Sequence, residues 1–279
     1  MPFKGVVLAA ASYGDLAARP AGDLDILIHY RDLLQATSLL RAEGYQLKTE
    51  VLDDGSPEAT DYFEYHFERP SDGIVIELRW RLELTQPRFR RDLGLDWAGR
   101  NRRTALLAGA QVPDMDPETR LIVLAMHGSK HIWSRLIWIL DVAQAITASP
   151  DLDWRRAETE ARRQGLWKPL AIGVLLAHHF TDCAVPEPFL QRFRRDSEVL
   201  HIVRHVQGSL FHAPGVPPPG PVPYNVLLLD TRDRIRLVFS FNFLRPNERD
   251  RAFVQLPRWL SPLYFALRPL RILRDRSAR

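Results

Sequence analysis

The segment Gly22-Asp23-Leu24-Asp25-Ile26-Leu27-Ile28 sets two carboxylates two residues apart at the start of an apolar run. On a strand, that spacing sends both side chains out of the same face. Such a pair makes a hard-oxygen site suited to Mg²⁺, or to Mn²⁺ in its place, since these cations take one or two carboxylates and complete their shell with phosphate oxygens. Two ions held this way stabilise both the attacking and the leaving oxygen of an in-line displacement at phosphorus. Alone, Asp-x-Asp also occurs on ordinary solvated strand edges, so its surroundings decide. A third acid, Glu77, alternates with apolar neighbours in Ile74-Val75-Ile76-Glu77-Leu78.

A second polar group lies in a helical stretch. Across residues 118–148, His127, His131, Ser134 and Trp138 follow i, i+4, i+7, i+11 spacing, with Lys130 and Asp141 beside them. One reading buries the histidines with ordinary partners. The other turns the stripe toward the sheet and brings Lys130 and His131 near a triphosphate or an acceptor. The His pair has the spacing of a zinc site, but the Glu of His-Glu-x-x-His is missing and Cys183 is the single cysteine, so zinc is not expected. Trp133, Trp138, Trp154 and Trp167 recur at helical spacing and are assigned to the core. Aromatics interleaved with basic residues, as single-stranded nucleic acid requires, are not found, so the sequence gives no firm evidence for a nucleic-acid partner.

The elements that must position these residues read as α+β. A helix-compatible stretch at 6–17 leads to a strand at 24–29 and a helix at 31–43 closed by Gly44. Strand-like runs at 45–52, 62–68 and 74–80 follow, separated by the turns Asp53-Asp54-Gly55 and Ser71-Asp72-Gly73. This predicts a small mixed sheet with flanking helices. From residue 117 the period becomes helical, with helices expected at 118–148, 154–164, 168–180 and 188–211. The prolines of 213–223 exclude both regular elements and make a linker or strap, after which helices at 232–243 and 259–273 are expected to pack back on the body. The expected organisation is a core over 1–112, a helical domain over 113–212, the linker, and C-terminal helices over 224–279.

Composition narrows the class. The 279 residues, 46% of them hydrophobic, are enough to bury a core. No apolar run reaches the ~20 residues of a membrane-spanning helix, and no signal-peptide pattern opens the chain, so a cytoplasmic location is expected. Of the 38 basic residues only Lys4, Lys48, Lys130 and Lys168 are lysines, which singles them out. Residues 245–279 hold nine arginines against Glu248, Asp250 and Asp275, a net +6. An apolar stripe with Trp259 in this segment permits membrane-surface contact, but Pro257, Pro262 and Pro269 interrupt a floating helix and favour packing against the protein.

Taken in order, Phe3-Lys4-Gly5 entering a helix, Arg19, the Asp23-Leu24-Asp25-Ile26 strand, Glu77 in Ile76-Glu77-Leu78-Arg79-Trp80, His127-Gly128-Ser129-Lys130-His131-Ile132-Trp133 and Trp138-Ile139-Leu140-Asp141 resemble the uncharacterised nucleotidyltransferases of the polymerase-β superfamily. The resemblance continues through Leu256-Pro257 to Arg268-Pro269 and so covers nearly the whole chain. It implies that Asp23 and Asp25 are metal ligands and that Glu77 is the third carboxylate, as ligand or as general base. It also implies that Gly5 lets the backbone approach a phosphate, that Lys4 neutralises leaving pyrophosphate, and that Arg19 belongs to the nucleotide site. Two departures stand out. Only Met1-Pro2-Phe3 precede Lys4 where the superfamily has a full strand, so either translation starts upstream or the sheet is incomplete; and Lys-Gly replaces the commoner Gly-Ser, which removes a Ser hydroxyl from the phosphate.

The expected activity is metal-dependent transfer of a nucleotidyl group from a nucleoside triphosphate, taken as ATP, to a small-molecule or peptide acceptor. The alternatives are a kinase that transfers the terminal phosphoryl group, and a catalytically retired module that binds a nucleotide or a partner. Asp25→Asn is expected to spare the fold, on the expectation that Asp25 faces solvent.

Overall fold

The computed structural model describes residues 1–48, 63–82, 93–220 and 222–239, together with Val254, Leu260, Leu263, Tyr264 and Leu267. The chain is α+β: a small mixed sheet with flanking helices, followed by a helical region. It divides into two compact units, Met1–Leu84 with Arg90–Val216, and the residues from Pro217 onward.

The sheet runs β1-β4-β3-β2, with β1 (Leu24–Leu27), β2 (Gln46–Leu47), β3 (Glu64–Arg69) and β4 (Ile74–Arg79). β1 is parallel to β4, and the other pairs are antiparallel. Before it, α1 (Gly5–Leu8) continues as a π-helix over Ala9–Tyr13, and Leu16–Ala18 form a 3₁₀ turn, so the helix-compatible stretch at 6–17 is three short pieces. The residues before Lys4 pair with β1. Pro2 bridges Ile26, the Leu27 N–H donates to the Met1 carbonyl at 2.8 Å, and the Met1 amino group donates to the Leu27 carbonyl at 2.8 Å.

Alternation along the strands gives the sheet two unlike faces. Ile76, Leu78 and Phe67 point to one side, where Leu33 of α2 (Leu33–Ala42), Tyr45 and Trp80 complete an apolar cluster. Their neighbours Asp25, Glu77, Arg79, Glu64 and His66 face the other side. A one-residue slip of β4 would exchange the two sets, so burial of the apolar face fixes the register of the acids. The strand expected at 45–52 is described through Lys48, and the turn at Asp53 lies outside the described residues.

After α3 (Leu95–Ala98), a hairpin that the sequence pattern did not reveal, β5 (Arg103–Leu107) and β6 (Ala110–Asp114), leads into the helices. Asp116 caps α4 (Pro117–Lys130) by accepting from the Thr119 N–H, with Pro117 in the first turn where its missing N–H costs nothing. α4 is buried along most of its length and packs against α5 (Leu136–Thr147), α6 (Trp154–Arg163) and α7 (Trp167–Thr181). The run at 188–211 is two helices, α8 (Glu187–Arg194) and α9 (Ser197–Ser209), the second capped by Asp196.

The single helix expected at 118–148 is corrected. It breaks at Ile132 and Trp133, whose φ values of 54° and 52° lie in the left-handed region that bulky residues avoid. The gain that offsets this strain is the complete burial of Trp133, worth about 3 kcal/mol or more for such a side chain. Its ring lies on Gly128 of α4, where any Cβ would collide with it, and within 3.0 Å of the place a Cβ would occupy on Gly173 of α7.

In the second unit, α10 (Tyr224–Leu227) and α11 (Thr231–Phe239) are tied by Arg234, which donates to the carbonyls of Val226 at 2.9 Å and Leu227 at 3.1 Å. The Tyr264 hydroxyl donates to the Val254 carbonyl at 2.8 Å. The remainder of the helices expected at 232–243 and 259–273, and the question of membrane-surface contact, lie outside the described residues. Among the described residues, no helix is long and apolar enough to cross a membrane.

Candidate active site

The polar face of the sheet forms the floor of a cleft of about 870 Å³, and the helical wall opposite is made by α4, α5 and the turn between them. Parallel pairing sets Asp25 of β1 beside Glu77 of β4, and Asp23 precedes the strand by one residue. Carboxylate oxygens of Asp23, Asp25 and Glu77 lie within 4.8 Å of one another. At about 4 Å and an effective dielectric constant of about 20, each like-charge pair costs about 4 kcal/mol, so such a group needs positive charge beside it.

The protein supplies some of that charge itself. The Lys4 ammonium lies 2.9 Å from Asp25 Oδ1, and the Arg79 Nε lies 3.4 Å from the same oxygen. Arg79 also pairs with Glu77 and with Glu64, and His66 Nε2 stands 3.2 Å from Glu64 and 3.8 Å from Glu77. The compensation is incomplete. Burial, then Asp25, push the Glu77 carboxyl up to about 7, with Lys4 pulling the other way and Asp23 adding to the rise. Burial likewise pulls Arg79 below the usual arginine range, with Asp25 opposing it. Asp25 is 2% exposed, which corrects the expectation of a solvent-facing carboxylate.

Gly5 sits at the edge of this group with φ 55°, its α-carbon so near the Asp23 carbonyl that a Cβ would stand 3.1 Å from that oxygen. Arg19 also lines the cleft, where it is paired with a carboxylate of α5. Its Nε and Nη2 donate to the two Asp141 oxygens at 2.7 and 2.8 Å, and its Nη1 to the Pro20 carbonyl at 3.3 Å. The Tyr13 hydroxyl completes this knot with a bond of 2.8 Å to Asp141.

On the helical wall, His127, Lys130, His131, Ser134 and Trp138 all line the cleft, although the helix that was to align them is broken. The turn that buries Trp133 carries the stripe around the corner. Trp138 is half-buried and borders the cleft, which corrects its assignment to the core; of the four tryptophans so assigned, Trp133 is the one wholly buried. The wall is packed ring on ring: His127 and His131 centroids are 4.8 Å apart, His127 and Trp138 5.4 Å, His131 and Trp138 5.0 Å. Partial loss of hydration first, then neighbouring lysines, lower both imidazoles, His131 to about 4 although its outer face is exposed, and the more enclosed His127 well below its ordinary value.

The structure thus brings Lys4, Gly5, Arg19, Asp23, Asp25, Glu77, Lys130 and His131 to one cleft and pairs Arg19 with Asp141 of α5. Sequence reasoning missed Glu64, His66 and Arg79 as parts of the site, and named Asp141 beside the helical stripe without its partner Arg19. The first three were legible in principle, since period-two alternation puts Glu64 and His66 on one face of β3 and Arg79 two residues after Glu77. The Arg19–Asp141 pair spans 122 positions and left no local pattern.

A family model described as an uncharacterised nucleotidyltransferase matches residues 1–182. No curated protein and no solved structure gives a significant match. The matched segment takes in the whole cleft, from Lys4 through Trp138. With about two thirds of its length so matched, the chain belongs to this uncharacterised nucleotidyltransferase family, whose general activity is nucleotidyl transfer.

Proposed function

We propose that the chain transfers a nucleotidyl group from a nucleoside triphosphate, ATP in the first instance, to a small-molecule or peptide acceptor, with a divalent cation held by Asp23, Asp25 and Glu77. The observation that carries this reading is the convergence of three carboxylates within 4.8 Å on one sheet face, in a cleft that also holds Lys4, Arg79 and Lys130. The donor set is all oxygen and hard, which suits Mg²⁺ or Mn²⁺. The rise of Glu77 to about 7 supports the fit from another side, because Lys4 and Arg79 leave the three acids short of positive charge. When bound, the cation supplies charge stabilisation to the attacking and leaving oxygens.

The chain's own groups do the remaining work. Asp25 is fixed by burial and by Lys4, so its geometry is set before any ligand arrives. Lys4 and Arg79, which balance the acids, line the cleft a polyphosphate enters and are suited to charge-assisted bonds with its oxygens. Gly5, without a side chain beside Asp23, leaves room for a phosphate at that edge. Glu77, where it is not a ligand, has the proton affinity of a base working near neutrality and accepts the acceptor's hydroxyl proton. Arg19 is engaged by Asp141 and acts by holding the loop that presents Asp23.

The test is mass spectrometry of products after the protein is incubated with Mg²⁺, each nucleoside triphosphate and a cell extract. A nucleotidyl mass on the acceptor, lost with Asp25→Asn, is expected. An added phosphoryl mass would replace this reading with a kinase, and activity retained by Asp25→Asn would remove the carboxylate site from the chemistry.

A further inference from the structure

Resting on the reading that a nucleoside triphosphate is the donor, we infer that its nucleobase stacks on the ring pair His131–Trp138, so that the helical wall of the cleft selects the nucleoside. Three observations converge there. The two rings are tilted by 33° with centroids 5.0 Å apart, nearer to parallel than the 86° and 63° of the other ring contacts of the group, so they present a layered surface. His131 is exposed and Trp138 half-buried, and both border the 870 Å³ cleft, a size that accommodates a nucleotide.

Charge complementarity names the occupant. The wall's imidazoles are neutral, with Lys130 and Arg135 beside them and the Arg135 guanidinium 5.8 Å from the Trp138 ring centre. Lys4 and Arg79 stand at the floor. A flat neutral ring joined to a polyanion matches this division, with the ring on His131 and the phosphates among the cations. A third planar ring completes the stack by the offset geometry that aromatic pairs prefer. Such stacking tolerates any base, so it selects nucleotides as a class and ranks purines above pyrimidines by ring area.

The test is calorimetric titration of the full chain, in Mg²⁺, with ATP and with tripolyphosphate, which keeps the charge and lacks the base. Wild type is expected to bind ATP at least about tenfold more tightly than tripolyphosphate. His131→Ala, at an exposed position, is expected to lose about tenfold for ATP and nothing for tripolyphosphate, while His131→Phe retains ATP binding because the ring remains. Equal affinities of wild type for the two ligands, or equal losses for both in His131→Ala, would overturn base stacking and leave nucleotidyl transfer standing if the product mass is found. A base-dependent affinity lost in His131→Ala, with no nucleotidylated product from wild type, would leave the base site standing and remove the transferase reading. A chain that binds neither ligand overturns both.

Discussion

The sheet floor of the cleft gathers acids that Lys4 and Arg79 balance only in part, whereas the helical wall gathers rings that burial holds neutral. The floor is built by period-two alternation on strands whose other face is an apolar core. The wall is built by a helix that stops, turns through two strained residues and starts again. The floor is therefore under electrostatic tension that a bound cation would relieve, and the wall under steric tension that Trp133 relieves. Each is broken by a different kind of change.

The largest effect belongs to the floor. Asp25→Asn is expected to lower nucleotidyl transfer by more than about 100-fold, since even partners one step removed from a metal ligand cost 10–100-fold. The fold is expected to survive for a reason unlike exposure: Asp25 is buried, but the change leaves Lys4 among the remaining acids Asp23 and Glu77 and removes like-charge repulsion. Circular dichroism beside the activity assay checks both halves, and a variant that unfolds would show that the Lys4–Asp25 pair is structural first.

The tie between floor and wall comes next. Asp141→Asn leaves the largely buried Arg19 guanidinium without its carboxylate and is expected to destabilise the first unit by about 3 kcal/mol. Because Arg19 anchors the loop before Asp23, the Mg²⁺ concentration for half-maximal activity is expected to rise about tenfold. Urea unfolding and a Mg²⁺ titration separate these effects, and an unchanged Mg²⁺ requirement would show that Arg19 does not position Asp23. Breaking the wall alone costs somewhat less. Gly128→Ala drives a methyl group into the Trp133 ring and is expected to cost about 2 kcal/mol by overpacking, while leaving the carboxylate geometry of the floor in place. A neutral result in urea unfolding would mean that Trp133 does not rely on that glycine.

The same division explains what the sequence could reveal. The floor was legible, since Asp23, Asp25 and Glu77 are polar positions in apolar strands and strand geometry alone puts them on one face. The wall was legible in membership and wrong in cause. His127, His131 and Ser134 share a cleft, as one of the two readings of the stripe had it, and Trp138, assigned to the core, joins them, but through a turn at Ile132 and Trp133 that helical periodicity cannot register, because both residues are intrinsically poor at the backbone angles they adopt. The β5–β6 hairpin escaped because its outer positions are exposed on both strands and its apolar alternation is weak. Arg19–Asp141 escaped because a pair so distant in sequence leaves no periodic trace.

The smallest expected effect sharpens the comparison furthest, because the two sides of the cleft answer pH with opposite sign. Glu77 rises from its ordinary 4.5 to about 7 on folding, so the folded state holds that proton more tightly. Its contribution to stability is complete below about 4.5 and is lost as pH climbs through 7. His131 falls from 6.5 to about 4, so its contribution is complete above 6.5 and is lost as pH drops through 4, and His127 acts in the same direction. Between these limits the slopes oppose each other, and with two imidazoles against one carboxyl the melting temperature of metal-free protein is expected to rise gently from pH 5 to 6.5. Glu77→Gln removes the falling slope and is expected to steepen that rise, whereas His131→Ala is expected to flatten it. Mg²⁺ needs Glu77 ionised, so its stabilising shift is expected to be larger at pH 8 than at pH 6 and to shrink at both in Glu77→Gln. A Glu77→Gln profile that overlays wild type with and without Mg²⁺ would place the tension of the floor elsewhere than at Glu77.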